Sequence, residues 1–306
     1  MSIRPIKRIV RAQPAIEGAG VKLHRGFGFG DTREFDPFLL FDDFRNDTPA
    51  DYLAGFPWHP HRGIETITYV LRGSVAHGDS LGNKGALGSG DVQWMTAGSG
   101  ILHQEMPRGD DQGRMHGFQL WANLPSTLKM SAPRYQDVSS RDIPEVTDDD
   151  GTRVRIVCGT FWGKRGPVEG VAADPRYLDV RVPPLRSRTL PVERSRHAFA
   201  YVFEGDGSFR DASQPLGVWT ELVGIPEPGG PATVANRSLV LFDSGDEVTV
   251  RAGEEGIRFL LVSGKPLGEP VAWYGPIVMN TQAQLREAFF EFQNGTFLKK
   301  GKAPRT

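Results

Sequence analysis

Four side chains with metal-binding chemistry occur as two pairs, each with one residue between its members. His59 and His61 form one pair, and His103 and Glu105 form the other. On a β-strand, residues i and i+2 point to the same face, about 7 Å apart along the backbone, so each pair presents both side chains together. Two such pairs on facing strands of a small barrel can converge on one ion. We therefore predict a mononuclear site of three imidazoles and one carboxylate, a ligand set that suits Fe, Mn, Co, Ni or Zn.

The number of ligands bears on the chemistry of such a metal. Four protein ligands leave an octahedral metal two open positions, enough for a bidentate ligand or for one substrate atom and O2. Open positions are typical of catalytic metal sites, whereas structural sites are closed. The ligand set therefore favours an oxygenase site. A hydrolase or isomerase that uses the metal as a Lewis acid is the alternative chemistry.

The segments that carry these residues have the pattern of β-strands. Apolar and polar residues alternate over most of the first 120 residues, and segments 65–73 and 116–124 are rich in β-branched and aromatic residues. Helical periodicity is confined to 281–295, where Thr281 can cap the start and Gly295 can end the helix. The sequence therefore predicts an all-β protein with a C-terminal helix.

The second half of the chain resembles a degraded copy of the first half. Residues 200–209 echo residues 68–77, and residues 244–261 echo residues 89–106 in the same order. A repeat of this length indicates two copies of one barrel rather than a solenoid of small repeats. We predict two antiparallel, jelly-roll-type barrels.

The predicted boundary follows from this duplication. An N-terminal barrel of residues 1–135 holds the metal, and residues 136–306 form a C-terminal barrel plus the helix. The polar, proline-punctuated stretch 125–151 is predicted to connect them. In the second copy, Glu193, Arg258 and Leu260 stand at the positions of the second, third and fourth predicted ligands. Because these residues cannot assemble the site, we predict that the C-terminal barrel is metal-free.

At the level of longer motifs, the chain resembles the pirin branch of the cupins. GFPWHPHRGIETITYVLRG (55–73) and GDVQWMTAGSGILHQEMP (90–107) are similar to the paired signatures of that branch. The resemblance continues through 36–44, 120–138 and 275–289, and so covers most of the chain. It implies a bicupin fold, and it places the pirin metal ligands on the two histidines and on the histidine–glutamate pair described above.

The resemblance also implies a function. Pirin-like proteins of bacteria are associated with quercetin 2,3-dioxygenase activity, in which Glu105 would take the proton of the flavonol 3-hydroxyl and O2 would open the central ring with loss of CO. The implied partners are a flavonol-like aromatic molecule and O2. The implied metal is Fe(II), with Mn, Co, Ni or Zn as alternatives. Pirins of eukaryotes resemble redox-sensing cofactors of transcription factors, so a metal-containing module that binds a regulatory protein is the competing hypothesis.

Further predictions concern side chains near the ligands. Glu65 stands where the general cupin motif places a ligand, but a straight strand would hold it about 13 Å from the second histidine. We expect Glu65 beside the ligands rather than on the ion, with a hydrogen-bonded carboxylate near the barrel mouth as the alternative. Phe56, Trp58, Trp94 and Met95 flank the ligand strands, where they form either an apolar slot for a flat substrate or part of the core.

Composition excludes several classes of protein. With 36 basic and 37 acidic residues, the chain has no electrostatic footprint for direct nucleic-acid binding. A single cysteine, Cys158, excludes an intramolecular disulfide framework and fits a reducing compartment. The start of the sequence lacks an apolar leader and no eighteen apolar residues run together, so we expect a cytoplasmic protein without membrane contact.

Overall fold

A computed structural model describes residues 1–212 and 232–299 of the chain. The strands, in chain order, are β1 (Ile6–Arg11), β2 (Gln13–Glu17), β3 (Val21–Phe27), β4 (Phe38–Asp43), β5 (Phe56–His61), β6 (Ile64–Arg72), β7 (Ser74–Asp79), β8 (Lys84–Leu87), β9 (Val92–Thr96), β10 (Ile101–Arg108), β11 (His116–Asn123), β12 (Arg134–Val138), β13 (Glu145–Thr147), β14 (Arg153–Cys158), β15 (Thr160–Phe161), β16 (Lys164–Arg165), β17 (Arg176–Val182), β18 (Ser187–Pro191), β19 (His197–Phe209), β20 (Thr233–Ala235), β21 (Ser238–Phe242), β22 (Glu247–Gly264), β23 (Ala272–Tyr274) and β24 (Ile277–Met279). The α-helices are α1 (Thr32–Phe35) and α2 (Gln282–Gln293).

The chain divides into two compact units, each assembled from separate segments. The first, here named the histidine unit, consists of Ala12–Ile143, Pro167–Asp174 and Pro266–Thr306. The second unit consists of Met1–Arg11, Pro144–Gly166 and Pro175–Lys265. This division differs from the predicted boundary between residues 135 and 136. Strand β1 pairs with β21 of the second unit, and α2 belongs to the histidine unit, because long-range pairings that local composition does not reveal decide where each segment packs.

Two large antiparallel sheets and the two-stranded sheet of β23 and β24 form the histidine unit. The larger has the order β12-β9-β6-β11-β4-β3-β2, and the smaller has the order β5-β10-β7-β8. Apolar side chains from both sheets meet in one buried cluster, in which Leu23 and Val70 of the larger sheet pack with Val75 and Leu87 of the smaller. The alternation of side chains along each strand therefore gives the larger sheet an inner face, directed at the smaller sheet, and an outer face.

The second unit is built on one antiparallel sheet with the order β1-β21-β19-β22-β17-β14-β13, with β18 paired to β22 and β20 paired to β19. Its core is a cluster of buried aliphatic and aromatic side chains from these strands. Both units are thus antiparallel β structures, which confirms the predicted all-β fold of two β units with a C-terminal helix.

Local signals in the sequence placed the helix well and the connection less well. Thr281 caps α2 by accepting from the backbone of Gln284, whose side chain bonds back to Thr281, and Gly295 adopts a φ of +71° after the helix. The predicted connection 125–151 was wrong in part, because it contains β12, which pairs with β9, and β13. Polar side chains mask this pattern, since β12 is the edge strand of its sheet and most of its residues keep some contact with solvent. None of the helices formed by the described residues has the length and apolar composition needed to cross a bilayer.

Candidate metal centre

Three histidines converge on the inner face of the smaller sheet of the histidine unit. Strands β5 and β10 are neighbours in that sheet rather than facing strands, and their antiparallel register sets His103 opposite His59 and Ile101 opposite His61. The period of two along each strand then brings all three imidazoles together. Their ligating nitrogens lie within 4.8 Å of one another.

Outward hydrogen bonds fix the orientation of these imidazoles. Nδ1 of His59 lies 2.8 Å from the carbonyl oxygen of Pro57, and Nδ1 of His61 lies 3.2 Å from that of Pro276. Because a carbonyl oxygen only accepts, both Nδ1 atoms carry the proton and both Nε2 atoms present a lone pair. Nδ1 of His103 is 3.3 Å from the hydroxyl of Tyr135 in the same outward arrangement.

The inward nitrogens fit a metal ion better than they fit one another. Nε2 of His59 and Nε2 of His61 are 3.0 Å apart, yet neither carries a proton to share in these tautomers. Donor atoms held about 2.1 Å from one ion and 90° apart are separated by about 3.0 Å, so this spacing suits two ligands of a single metal. Nε2 of His103 is fully buried and has no hydrogen-bond partner, so its lone pair is available to coordinate a cation.

Electrostatics keep these side chains in the form that binds metal. Burial, followed by the influence of the neighbouring imidazoles, holds the pKa of His61 well below its ordinary value. Burial, followed by His59 and His77, does the same to the pKa of His103. Neutral imidazole is the species that coordinates a metal, so both rings are ready to bind at neutral pH.

Glu105 lies at the edge of the three-histidine cluster. The register between β10 and β5 shifts between His103 and Glu105, so the carboxylate does not stand directly in line with the imidazoles. Its Oε2 is 4.0 Å from Nε2 of His103, and its Oε1 accepts a hydrogen bond of 3.0 Å from Oγ1 of Thr68 on β6. Burial raises the pKa of Glu105, against the opposing effects of His59 and Thr68. The structure therefore groups three of the four predicted ligands tightly and holds the fourth within reach.

Thr68 connects Glu105 to the larger sheet. Its Oγ1 is also 2.7 Å from the side-chain oxygen of Gln119, but one hydroxyl proton cannot serve two acceptors. Turning the Gln119 amide over resolves this, since its NH2 group then donates to Thr68 while Thr68 donates to Glu105. The result is a directed chain of hydrogen bonds that ends on the carboxylate.

A cavity of about 600 Å³ adjoins the histidines, within the range of about 300–1,000 Å³ common for ligand pockets. His59, His61 and Glu105 contribute to its lining, together with many apolar and aromatic side chains. Two of the four flanking residues predicted for an apolar slot, Phe56 and Trp58, line the cavity. The other two, Trp94 and Met95, are fully buried in the core.

Glu65 lies on the outer face of the larger sheet. It is three residues before Thr68 on β6, and Thr68 points inward to Glu105, so the alternation of the strand directs Glu65 away from the histidines. Its carboxylate accepts a hydrogen bond of 2.8 Å from Thr96, and burial raises its pKa to about 7. The expectation that Glu65 lies beside the ligands is wrong, and the alternative of a hydrogen-bonded carboxylate fits the structure.

Sequence reasoning missed three side chains or groups that support the site. Tyr135 belongs to the stretch interpreted as a connection, and the Pro276 carbonyl lies 215 residues from the histidine it orients. The ring of Trp121 meets that of His61 edge-on, with centroids 5.1 Å apart. Hydrophobic and polar residues alternate along β11, and this alternation was the available signal that Trp121 lies on the inward face. Nothing local marks Pro276.

The corresponding positions of the second unit have other partners. Arg258 donates to both oxygens of Asp179, at 2.9 and 2.8 Å, and also to Glu204. Leu260 is fully buried in the core. Across residues 1–212 and 232–299, the three histidines form the one group of His, Cys, Asp or Glu side chains whose donor atoms come this close.

The sequence matches two family models and several known proteins. The family model described as Pirin matches residues 20–122, and that described as Pirin C-terminal cupin domain matches residues 177–298. A pirin-like protein of Caulobacter vibrioides is 45% identical over 298 residues, which cover 97% of this chain and 100% of that protein. These matches confirm the predicted resemblance and the bicupin fold.

Two further relatives carry the name of an enzyme. A protein of Pseudomonas aeruginosa, provisionally named a quercetin 2,3-dioxygenase, is 38% identical over 297 residues, which cover 95% of this chain and 97% of that protein. The crystal structure of a quercetin 2,3-dioxygenase from Acinetobacter baumannii is similar with a TM-score of 0.82 at 29% identity, covering 96% of this chain and 98% of that one.

Proposed function

This chain belongs to the pirin family, and from that premise we propose that it is a metal-dependent dioxygenase that opens the central ring of flavonols such as quercetin with O2. The observation that carries the proposal is the convergence of three inward-facing Nε2 atoms at the wall of a cavity lined by aromatic side chains. A flat aromatic substrate fits such a cavity. The names of the relatives from Pseudomonas aeruginosa and Acinetobacter baumannii support the same reaction class.

In this proposal His59, His61, His103 and Glu105 hold one divalent transition metal. Membership of the pirin family supports Fe(II), while Mn, Co, Ni and Zn accept the same donors. When bound, the metal supplies a Lewis-acidic, redox-active centre at which an aromatic alcohol and O2 can meet. The outward hydrogen bonds from Nδ1 set the ring planes, so the imidazoles need little reorganisation to receive the ion.

The chain supplies the acid–base chemistry through Glu105. Its carboxylate lies beside the histidines, with Oε2 4.0 Å from Nε2 of His103, where it can accept the proton of the flavonol 3-hydroxyl. The Thr68 hydroxyl, 3.0 Å from Oε1, fixes the carboxylate and leaves Oε2 directed at the histidines. Once it has taken the proton, Glu105 can return it to the ring-opened product, while the apolar cavity wall keeps water from competing.

The test separates metal holding from catalysis at Glu105. The variant Glu105→Gln keeps the size and a coordinating oxygen but loses the basicity, whereas His61→Ala removes a ligand. We expect Glu105→Gln, compared at equal metal occupancy, to bind quercetin and to turn it over about 10²–10⁴-fold more slowly in an oxygen-consumption assay. His61→Ala should lose the metal more completely. Glu65→Gln, a buried glutamate on the outer face of the same sheet, is the matched control and should keep its turnover per bound metal.

Two results would overturn parts of the proposal. Unchanged turnover per bound metal in Glu105→Gln would remove Glu105 from the role of base. Absence of flavonol turnover in the wild-type protein with its iron intact would favour the competing hypothesis of a redox-sensing module. That hypothesis predicts protein partners whose binding depends on the Fe(II) or Fe(III) state.

A further inference from the structure

A row of polar side chains crosses the inner face of the larger sheet of the histidine unit. Thr68 on β6 is paired in register with Gln119 on β11, Gln119 with Asp42 on β4, and Asp42 with Arg25 on β3. All four line the cavity. Neighbouring strands are about 4.8 Å apart, so the row is about 14 Å long from Thr68 to Arg25. One end of the row touches the proposed base, since Thr68 donates to Glu105.

The far end of the row is a compact charged cluster. Nε and Nη2 of Arg25 each donate to Asp42 over 2.8 Å, and Nη2 also lies 2.8 Å from a carboxylate oxygen of Glu17. Asp42 is buried, whereas Glu17 keeps 42% of its side chain exposed. One guanidinium thus faces two carboxylates, and the cluster has a formal charge of −1. Carboxylates only accept hydrogen bonds, so this end of the cavity suits ligand groups that donate them.

Apolar side chains flank the row on both sides. In the neighbouring register, Leu40 and Trp121 are paired across β4 and β11, and Phe44 and Leu23 lie on the other side of the row. The cavity floor is therefore a polar line between apolar walls. A flat molecule of about three aromatic rings, lying across the strands, can keep its faces on the apolar walls and its polar edges on the row.

We propose that the Glu17–Arg25–Asp42 cluster is the specificity site for the end of the substrate remote from the metal, and that it selects aromatic rings bearing hydroxyl groups over rings bearing a carboxylate. The inference rests on the proposed flavonol chemistry for the orientation of the substrate. A hydroxyl donates to the carboxylate oxygens of Glu17 or Asp42, whereas an anionic group would be repelled by the negative cluster and would leave those oxygens without a donor.

The experiment measures binding rather than turnover, so that it reports on the cavity even if no ring opening occurs. Protein loaded with Zn(II) under anaerobic conditions is titrated with flavonols, and the quenching of Trp58, Trp121 and Trp273, which line the cavity, gives Kd. The three probes are quercetin, with two hydroxyls on the remote ring; galangin, with none on that ring; and a flavonol with a carboxylate at the 4′ position. The variant Glu17→Gln lowers the negative charge of the cluster and leaves in place both hydrogen bonds between the partly exposed Arg25 and the buried Asp42. Glu287→Gln, exposed on α2 and outside the cavity, makes the same change of net charge and is the matched control.

For the wild-type protein and the Glu287→Gln control, we expect quercetin to bind about tenfold more tightly than galangin, and the carboxylate probe to bind more weakly than either. In Glu17→Gln the preference for quercetin over galangin should fall about threefold or more, and binding of the carboxylate probe should improve. The variant Asp42→Asn, checked by circular dichroism for retention of the fold, should reduce the preference further.

The outcomes distinguish the specificity site from the function on which it rests. If all three probes bind with equal affinity, or if Glu17→Gln and Asp42→Asn leave the preference unchanged, the cluster does not select the remote ring, while the proposed flavonol site survives. If none of the three flavonols binds to the metal-loaded protein, the proposed function fails and the specificity site fails with it.

Discussion

Single residues decide the protonation state of the centre, and with it how readily the centre binds a metal. Two backbone carbonyls hold the protons of His59 and His61 on the outward nitrogens, and burial keeps His61 and His103 neutral. Glu105 is the opposite case, because burial raises the pKa of its carboxyl group above the ordinary value and so weakens its preference for the charged form. A metal that binds therefore meets neutral imidazoles at His61 and His103, and any proton that it displaces comes from the carboxyl group of Glu105.

This balance predicts how many protons are released when a metal binds. Because the pKa values of His61 and His103 lie below the ordinary value of about 6.5, these rings have no proton to lose at pH 7.5. We expect at most one proton per metal, from Glu105, in calorimetric titrations with Co(II) in two buffers of different ionisation enthalpy. On acidification, protonation of His61 and His103 should weaken binding only below about pH 6.5, so any loss of affinity above that pH comes from Glu105. Release of two or more protons at pH 7.5 would show that the rings are charged before the metal arrives.

The sequence predicts the positions of residues whose spacing along one strand fixes their arrangement. It fails where the face of a strand is set by a preceding turn, or where the partner comes from a distant part of the chain. The pairs His59–His61 and His103–Glu105 follow from the period of two. The chain turns at Gly63, whose φ is +77°, so the alternation along β5 does not continue into β6. The period of two therefore cannot predict on which face of β6 Glu65 lies, and in the structure Glu65 points outward. The partner of His61 is a carbonyl contributed by Pro276, and no spacing rule reaches across that separation.

Among the elements, the hairpin of β23 and β24 is hydrogen-bonded to the chain at the end of ligand strand β5. The backbone of Val278 donates to the carbonyl oxygen of Arg62 over 3.0 Å, directly after the second histidine. Lys129 fastens this junction, because its Nζ donates to the carbonyls of Gly63 and Val278, each at 2.9 Å, and to Asn123 at 2.7 Å. Burial lowers the pKa of Lys129 to about 7, yet all three partners accept hydrogen bonds, so the ammonium with three protons is the form that matches them.

We expect Lys129→Met to loosen this junction and the metal site with it. The change leaves three buried oxygens without their donor, which should lower the free energy of unfolding by about 2–4 kcal/mol. Metal affinity should also weaken, because the hairpin that carries the Pro276 carbonyl is then held less firmly. Urea denaturation and metal titration measure the two effects. Lys84→Met, on the exposed strand β8, is the control and should change neither. Normal stability and affinity in Lys129→Met would mean that the junction holds without the lysine.

Elements with strong local signals were predicted from sequence, whereas an edge strand was not. Strands β6 and β11 carry β-branched and aromatic residues and form where strands were predicted, and α2 begins at a capping box. Strand β12 was missed because its exposed, charged residues resemble a connection, although Tyr135 within it approaches His103. Its pairing with β9, rather than its own sequence pattern, identifies β12 as a strand.

At the scale of the whole molecule, the histidine unit is discontinuous in sequence. Val278 is fully buried in a cluster with Ile64, Met95 and Ile101, so residues beyond 266 complete a core that begins near residue 12. A fragment of residues 1–135, the barrel expected from sequence, would lack that contribution. We expect this fragment to show no cooperative thermal transition by circular dichroism and no tightly bound metal, in contrast to the full chain. A cooperative fragment with one bound metal would show that the later segments are dispensable.

The two units are also expected to differ in metal content. The equivalents of the ligands in the second unit are occupied by an ion-paired arginine, Arg258, and a buried leucine, Leu260. Metal analysis of the full chain should therefore give about one transition metal per chain, and the variant pair His59→Ala and His61→Ala should reduce it to background. A second tightly held ion that survives in this variant would contradict the degraded-copy interpretation.

The position of Pro276 in the chain also sets a time at which the centre can be completed. Tyr135 is synthesised about 140 residues before that carbonyl and the four proposed ligands earlier still, and at about 5–20 residues per second the delay is on the order of ten seconds or more. During that interval the nascent chain already carries its imidazoles, but His61 lacks the group that turns it. Any ion that bound before β24 docks would be held weakly and would follow the intrinsic affinity order of divalent ions, which favours copper and zinc over iron. The final geometry, and any preference for iron that depends on it, is therefore established only once β24 has docked.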